Sequence, residues 1–403
     1  MASVRLINSI KYSKLLLKTY QFIGKWLIRT LKPFLKTDPN LIVFVTSGGK
    51  LMNDSPRYIY DYMINDSRFK GYKFVWAFRN PDKFDVPKGK KIQLDSLKYY
   101  YYLLKARVWV TNVSMTRGLS FTGIHTFVLN TWHGTPIKMI GADTVGKSKA
   151  FTTASKRGKS PQVVKNYIIL AQGDYDVTIW QKAFMKAKEN IKCIGLPRND
   201  ELVANNNKES ISKIKSELGL PPNKKVIMYA PTFRDYERKD GKYLVLTPPI
   251  DLNKWEKELG DKYVLLFRAH PSVVEVMNIA RNESFAKNVS AYPNVNELML
   301  VSDMMISDYS SIFFDYSILG RPMLCFAYDY EEYTRERGVY FDIREALDSI
   351  GLDNEDRLLA AIKDMDFDKR IKTAIAFRDK YVQYYGNATR EAVNIIYNKM
   401  NEE

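Results

Sequence analysis

The chain has 403 residues, enough for two or three domains with sizeable cores, and its 45% hydrophobic and 27% charged residues are those of a folded protein rather than a disordered one. A formal net charge of +17 selects for anionic partners (nucleic acid, anionic lipid or phosphorylated substrates) and says nothing about fold. The two cysteines, Cys193 and Cys325, sit in apolar runs and read as buried free thiols; no Cys/His spacing resembles a zinc site, and neither a secretory cleavage site nor a membrane-spanning apolar run is present.

Residues 1–37 carry eight basic side chains and no acidic one. On a helix, Lys11, Lys14, Lys18, Lys25, Arg29 and Lys32 fall within an arc of about 60°, opposite Leu16, Tyr20, Ile23, Leu27 and Leu31. Phe22 and Trp26 flank the basic stripe, and Pro33 ends the helix. The pattern fits a helix lying on an anionic membrane surface. The plainer reading is a packed helix with a solvated charge face.

Beyond it, short apolar runs read as strands buried on both faces: 41–45, 72–78, 108–110, 126–132, 167–170 and 192–194, then 226–229, 263–267, 304–306 and 323–326. Helical patterns lie between them at 56–65, 97–106, 177–188 and 207–218. Strands alternating with helices imply an α/β protein with parallel sheets. A polar stretch at 204–210 and a proline pair at 221–222 suggest a domain junction. The expected organisation is a basic amphipathic helix over 1–37, a Rossmann-like domain over 38–205 and a second over 206–403, with the last helix, around 381–400, crossing back to the first. In such folds ligands sit beyond the carboxyl ends of the strands.

The stretch Asp303–Pro322 (DMMISDYSSIFFDYSILGRP) joins a strand to a helix through a polar turn. Backbone N–H groups and the hydroxyls of Ser310 and Ser311, with Asp308 alongside, suit a phosphate, and Asp315 suits a ribose hydroxyl; the alternative is an ordinary capped helix. Histidine is scarce: His125, His133 and His270. His133 and His270 directly follow strands and are candidate acid–base groups; His125 reads as structural. Arg268 alternates with His270 along one strand, and Thr232 and Arg234 follow another. The cleft so assembled suits phosphoryl chemistry. Walker, GxGxxG, HExxH and GxSxG motifs are absent.

Five segments in order, NTWHGTPIKMIG (130–141), GLPRND (195–200), YAPTFRD (229–235), FRAHP (267–271) and SDYSSIFFDYSILGRP (307–322), resemble the CDP-glycerol glycerophosphotransferases of teichoic acid and capsule synthesis. The resemblance spans roughly 40–400 and implies a GT-B-like architecture, two Rossmann-like domains facing a cleft, with the nucleotide held mainly in the second. It implies a peripheral, monotopic protein on the cytoplasmic face of the membrane, and His133 and His270 as the essential pair. His133 would be the base on the acceptor hydroxyl, with Gly134, Thr135 and Lys138 on the acceptor side. His270 and Arg268 would serve the diphosphate and departing CMP, Ser310 and Ser311 the phosphates, Asp315 the ribose, and Asn296 and Glu297 the cytosine or ribose. The expected reaction moves glycerol phosphate from CDP-glycerol to an undecaprenyl-diphosphate-linked saccharide or glycerophosphate acceptor. Family polymerases carry an additional N-terminal domain, so the short basic helix favours a primase-like enzyme. A ribitol-phosphate transferase or a sugar-transferring GT-B enzyme is the alternative. No cofactor is required by the sequence, Mg²⁺ is compatible with a diphosphate donor, and nucleic acid is not an expected partner because the remaining charge forms no dense Lys/Arg tract.

Overall fold

The computed structural model describes residues 14–116, 119, 126–144, 166–232, 234, 238–239, 242–243, 248–269 and 285–402. His125 and His270 lie outside the described residues. Seven strands form a parallel sheet: β1 (Asp38–Val45), β2 (Lys73–Phe78), β3 (Lys90–Gln93), β4 (Ala106–Thr111), β5 (Phe127–Asn130), β6 (Asn166–Ala171) and β7 (Ile191–Cys193), in the order β3-β2-β1-β4-β5-β6-β7. β8 (Lys225–Tyr229) begins the second half, followed by a two-residue-per-strand hairpin, β9 (Arg238–Lys239) and β10 (Lys242–Tyr243). A second parallel sheet joins β8 to β11 (Tyr263–Phe267), β12 (Ala286–Asn288), β13 (Met304–Ser307) and β14 (Met323–Cys325), in the order β12-β11-β8-β13-β14. The two α/β halves make the GT-B-like arrangement expected.

The apolar runs become central strands because both their faces are covered. In β1, Ile42 and Phe44 face the helix Asp54–Asn65, while Leu41, Val43 and Val45 face the helix Leu97–Lys105. The strands the sequence concealed are β3 and β12, at sheet edges, and the small hairpin. β3 reads Lys90-Lys91-Ile92-Gln93 and buries only Ile92, so it has no apolar run to reveal it. Strand order reverses between β1 and β4 in the first sheet and between β8 and β13 in the second. Each reversal leaves loops diverging from adjacent carboxyl ends, the place where doubly wound sheets bind ligands.

Two helices depart from simple sequential order. The last, Ala388–Asn401, crosses back and buries Ala392, Val393 and Ile396 against Ile42, Phe44 and Val110 of the first sheet. The segment after residue 206 therefore contributes to both cores. The N-terminal helix, Lys14–Leu31, touches the body along one edge. Tyr20 Oη lies 2.9 Å from Tyr100 Oη, Ile28 is buried, and a Cβ on Gly24 would fall 2.3 Å from Leu119 Cδ2. Ile23, Leu27 and Leu31, which the sequence groups with Tyr20, remain 41–49% exposed. Cys325 is buried and free, whereas Cys193, also free, is half-buried.

Because Ile396 belongs to the first sheet's core, Ile396→Ala is expected to cost about 2–4 kcal/mol. Urea unfolding followed at the buried tryptophans of β2 and β4, Trp76 and Trp109, checks this. An unchanged midpoint would mean that the last helix does not stabilise that sheet.

Candidate functional site

The crevice is built from loops at both points of reversal. β5 ends at Asn130, and the chain turns through Trp132-His133-Gly134. Trp132 (φ +54°) and Gly134 (φ +132°) both occupy left-handed backbone conformations, as do Ser47 (φ +48°) and Asp54 (φ +61°) after β1. Such conformations cost free energy and collect at functional sites. Trp132 is held by Trp180 and Phe184, with ring centroids 5.4 and 4.8 Å away, and its own ring lies 4.2 Å from that of His133.

His133 Nδ1 stands 3.1 Å from the backbone carbonyl of Asn112, at the end of β4. A carbonyl only accepts, so the neutral imidazole carries its proton on Nδ1 and leaves the Nε2 lone pair available. The residue is exposed at the crevice, but protein packed around the ring reduces its hydration, and this loss holds the imidazole pKa below its ordinary value. The imidazole is thus oriented, and its neutral form is favoured.

Arg198 connects the two halves. Its Nη1 donates to Asp54 Oδ1 (3.0 Å) and to the His133 carbonyl (3.1 Å), and its Nη2 donates to Asp315 Oδ2 (2.6 Å). Asn112 Nδ2 donates to the other oxygen of Asp54 at 2.6 Å, and Asn112 Oδ1 accepts from Ser47 N at 2.9 Å. On the far side Asn199 Nδ2 donates to Asp315 Oδ1 and to Gln172 Oε1, both at 2.8 Å. Gln172 Nε2 donates to Thr135 Oγ1 (3.0 Å), and Thr135 donates to Asp176 Oδ2 (3.1 Å). Burial works to raise the Asp54 pKa, but the Arg198 charge and three hydrogen bonds outweigh it and hold it below the usual carboxylate range. Burial prevails at Asp315 and raises its pKa despite Arg198. Asp176, buried with no cation against it, is pushed up to about 7.

The expected site residues divide into two groups. His133, Gly134 and Ser311 meet, with Arg198 beside them: a Cβ built on Gly134 would sit 2.7 Å from Ser311 Oγ and 3.1 Å from Arg198 Nη2, so only glycine lets the two loops approach this closely. Ser310 adjoins Ser311, with its Oγ 3.3 Å from Ile312 N. Thr232 N donates to Asp308 Oδ1 at 2.9 Å, while Thr232 Oγ1 is a buried oxygen with no hydrogen-bond partner among the described residues. The helix after the serines, Ile312–Ser317, has six residues, too few for the strong dipole the sequence suggests.

The other expected residues have contacts within the protein, although Asn296 Oδ1 is buried without a hydrogen-bond partner among the described residues. Asp315 is bound by Arg198 and Asn199 and presents no free oxygen to a ribose. Arg234 is 1% exposed; it pairs with Asp308 (2.8 Å) and with both oxygens of Asp329 (2.6 and 2.8 Å), among the rings of Tyr309, Tyr328 and Tyr333. That satisfies Asp308 as well, so neither faces a phosphate. Arg268 Nη1 donates to the carbonyls of Val289 and Tyr292. Asn296 Nδ2 donates to Arg198 O and Glu201 Oε2, and Glu297 accepts from Tyr292 and Asn294. Thr135 is buried in the Asp176 network, and Lys138 pairs in a backbone bridge with Val339. Asp54 and Asn112 are the residues that sequence reasoning missed; Asn112 carried a signal, since it directly follows a strand. Among the described residues no group of three or more His, Cys, Asp or Glu side chains is arranged to hold a metal ion.

Comparison with known proteins agrees with this geometry. The family described as CDP-Glycerol:Poly(glycerophosphate) glycerophosphotransferase matches residues 27–398. The chain is 41% identical over 315 residues to a teichoic acid poly(glycerol phosphate) polymerase of Staphylococcus epidermidis, covering 77% of this chain and 43% of that protein. It is 34% identical over 340 residues to a teichoic acid glycerol-phosphate transferase of Staphylococcus aureus, covering 81% of this chain and 84% of that one. It spans about half the length of the polymerases of S. epidermidis and Bacillus subtilis that it matches. A structure of a histidine-to-asparagine variant of the wall teichoic acid polymerase TagF, soaked with CDPG, superposes with a TM-score of 0.82 at 32% identity, covering 99% of this chain and 98% of that one.

Removing Arg198 leaves two buried carboxylates without their cation, so Arg198→Ala is expected to lower stability by about 3–5 kcal/mol. Chemical denaturation measures it, and a change below about 1 kcal/mol would show that the clamp is not structural. Asp176 gives a pH-dependent counterpart. Its folded pKa, about 7, exceeds that of the unfolded chain, so its contribution to stability is lost as pH rises from about 4 through 7. Asp176→Asn is therefore expected to be more stable than the parent at pH 8, by up to a few kcal/mol, and no more stable at pH 4. Thermal melts at the two pH values decide; an equal shift at both would contradict the raised pKa.

Proposed function

The chain belongs to the CDP-glycerol:poly(glycerophosphate) glycerophosphotransferase family, and on that premise we propose that it transfers glycerol phosphate from CDP-glycerol to a hydroxyl of a lipid-linked acceptor and releases CMP. The observation that carries this reading is the placement of a neutral His133, its proton fixed on Nδ1, where Gly134 of the first half rests on Ser311 of the second. Nε2 takes the proton of the acceptor hydroxyl as its oxygen attacks the phosphorus bearing glycerol. The bond from that phosphorus to the CMP oxygen breaks, and the departing phosphate leaves as the dianion or with a proton from solvent. Ser310, Ser311 and the unpartnered Thr232 hydroxyl lie on the side from which donor phosphates would be held. His270, outside the described residues, keeps its proposed role at the diphosphate. The acceptor is proposed to be an undecaprenyl-diphosphate-linked saccharide or its first glycerophosphate units, with one or a few units added, as in teichoic-acid-type polymers.

We also place the enzyme on an anionic membrane surface. No helix of the described residues is long and apolar enough to cross a membrane. The N-terminal helix leaves Phe22 (74%) and Trp26 (59%) exposed, with Phe34 (85%) just beyond it, alongside exposed Lys18, Lys25 and Arg29. Aromatic side chains flanking cations on one helix suit the lipid interface.

Purified protein incubated with CDP-glycerol and lipid-linked saccharides should release CMP and add glycerophosphate to the acceptor mass. Turnover of CDP-ribitol or a UDP-sugar with CDP-glycerol inert would overturn the donor. His133→Ala is expected to reduce kcat by about 10²–10⁴-fold. Because the His133 pKa is lowered, the base stays unprotonated at mildly acidic pH, and the acid limb of kcat/KM should fall below pH 6.5. An acid limb above pH 7 would exclude His133 as the base.

A further inference from the structure

A second cavity lies at the other end of the first sheet, where β1, β2 and β3 begin. Its volume is about 500 Å³. The crevice at the carboxyl ends is roughly 25 Å away, the length of β1. Four lysines line the cavity, Lys73, Lys88, Lys90 and Lys105, against one carboxylate, Asp38. Lys73 already neutralises Asp38 at 2.7 Å, so the remaining three charges face the space without an acidic counterpart in its wall. Phe74, Val75 and Leu41 supply apolar surface, and Tyr101 and Tyr102 supply phenol groups.

The backbone that carries Lys88 and Lys90 is held in place. Tyr60, fully buried, accepts from Lys88 N (2.8 Å) and donates to Lys88 O (2.9 Å). The next residue, Gly89 (φ +126°), lies so close to β2 that a Cβ would stand 2.3 Å from Phe74 O. The backbone of the Lys88-Gly89-Lys90 rim is therefore pinned from beneath, and both lysines line the cavity. Across it, Lys105 Nζ rests 3.3 Å from Tyr101 Oη. Several lysines carried on a fixed backbone rim beside apolar side chains suit a compact anion attached to carbon.

We infer that this cavity binds the phosphodiester headgroup of an anionic lipid. The N-terminal helix indicates the source of the ligand. Its last turn leads through exposed Phe34 and Lys36 directly into Asp38, on the cavity wall. Lys32 Nζ donates to Leu104 O, on the same helix as Tyr101, Tyr102 and Lys105. The segment proposed to lie on the membrane thus docks on the helix that forms one side of the cavity. The inference rests on that membrane reading for the identity of the ligand, not for the existence of the site.

The test uses the full chain with three probes: soluble glycerophosphoglycerol, inorganic phosphate, and vesicles of phosphatidylcholine with or without phosphatidylglycerol. The variants are K88Q/K90Q, a charge-matched control K208Q/K213Q at exposed positions elsewhere, and F22S/W26S. Glycerophosphoglycerol is expected to bind the parent and the control saturably in calorimetry and to be lost in K88Q/K90Q. Affinity for phosphatidylglycerol vesicles should fall about tenfold in K88Q/K90Q, more than in the control, since two lysines near an anionic surface carry at least that much attraction. CMP release with a soluble acceptor should be unchanged in K88Q/K90Q. The proposal is overturned if glycerophosphoglycerol does not bind, if inorganic phosphate binds as well as it does, or if the control loses as much vesicle affinity. Undiminished vesicle binding by F22S/W26S would overturn the membrane role of the helix, while headgroup binding in solution still decides the cavity.

Discussion

The site depends on the charge of Arg198. This guanidinium is nearly buried, with 13% of its side chain exposed, and it stands between Asp54 of the first half and Asp315 of the second. Buried charges without partners are far more costly than paired ones. Any separation of the halves that breaks one contact strands an ion, so the three groups fix how the two sheets face each other. Arg198 also donates to the carbonyl of His133, tying that loop to the same clamp. The relative placement of the His133 loop and the serine turn is thus set by an ion triplet that need not touch substrate.

Asn112 extends the same logic to the protonation state of His133. Its backbone carbonyl fixes which imidazole nitrogen carries the proton, and its side chain is fixed by Ser47 N and Asp54. The positive-φ residues Ser47, Asp54, Trp132 and Gly134 all lie in the loops that this network joins. Their backbone strain is tolerated because several hydrogen bonds over-determine each loop. Trp132 gains further support from Trp180 and Phe184, so a bulky residue persists where glycine would be easier. Positioning and desolvation of the base come from one set of contacts.

The central strands were legible because a strand covered on both faces must be apolar throughout, and chain pattern alone records that. Edge strands such as β3 leave no such record. The position of His133, Ser310 and Ser311 at the crevice was legible because each follows a strand, and the rule about carboxyl ends converts position in sequence into position in space. Asp315, Arg234 and Asp308 obeyed the same rule and yet serve the fold. Sequence shows that a charged residue follows a strand but not which opposite charge will be buried with it. Arg234 illustrates the point: its partner Asp329 lies 95 residues away, and its aromatic surround is contributed by three separate tyrosines. A lone arginine in a loop looks like a phosphate ligand until its neutralising partners are seen.

Parallel sheets also explain why the crevice and the N-terminal helix use different surfaces of the first half. Every crossover returns the chain to the amino ends of the strands, so the carboxyl-end loops stay clear for the crevice. The N-terminal helix enters the sheet at Asp38, the amino end of β1, and its exposed aromatic residues lie on the segment leading there. Upstream of Asp38 the helix runs along the depth of the sheet, from Tyr20 and Gly24, which meet Tyr100 and Leu119, to Lys32, which meets Leu104. Its exposed aromatic residues therefore lie along a flank of the first half, while the strand ends carry the crevice.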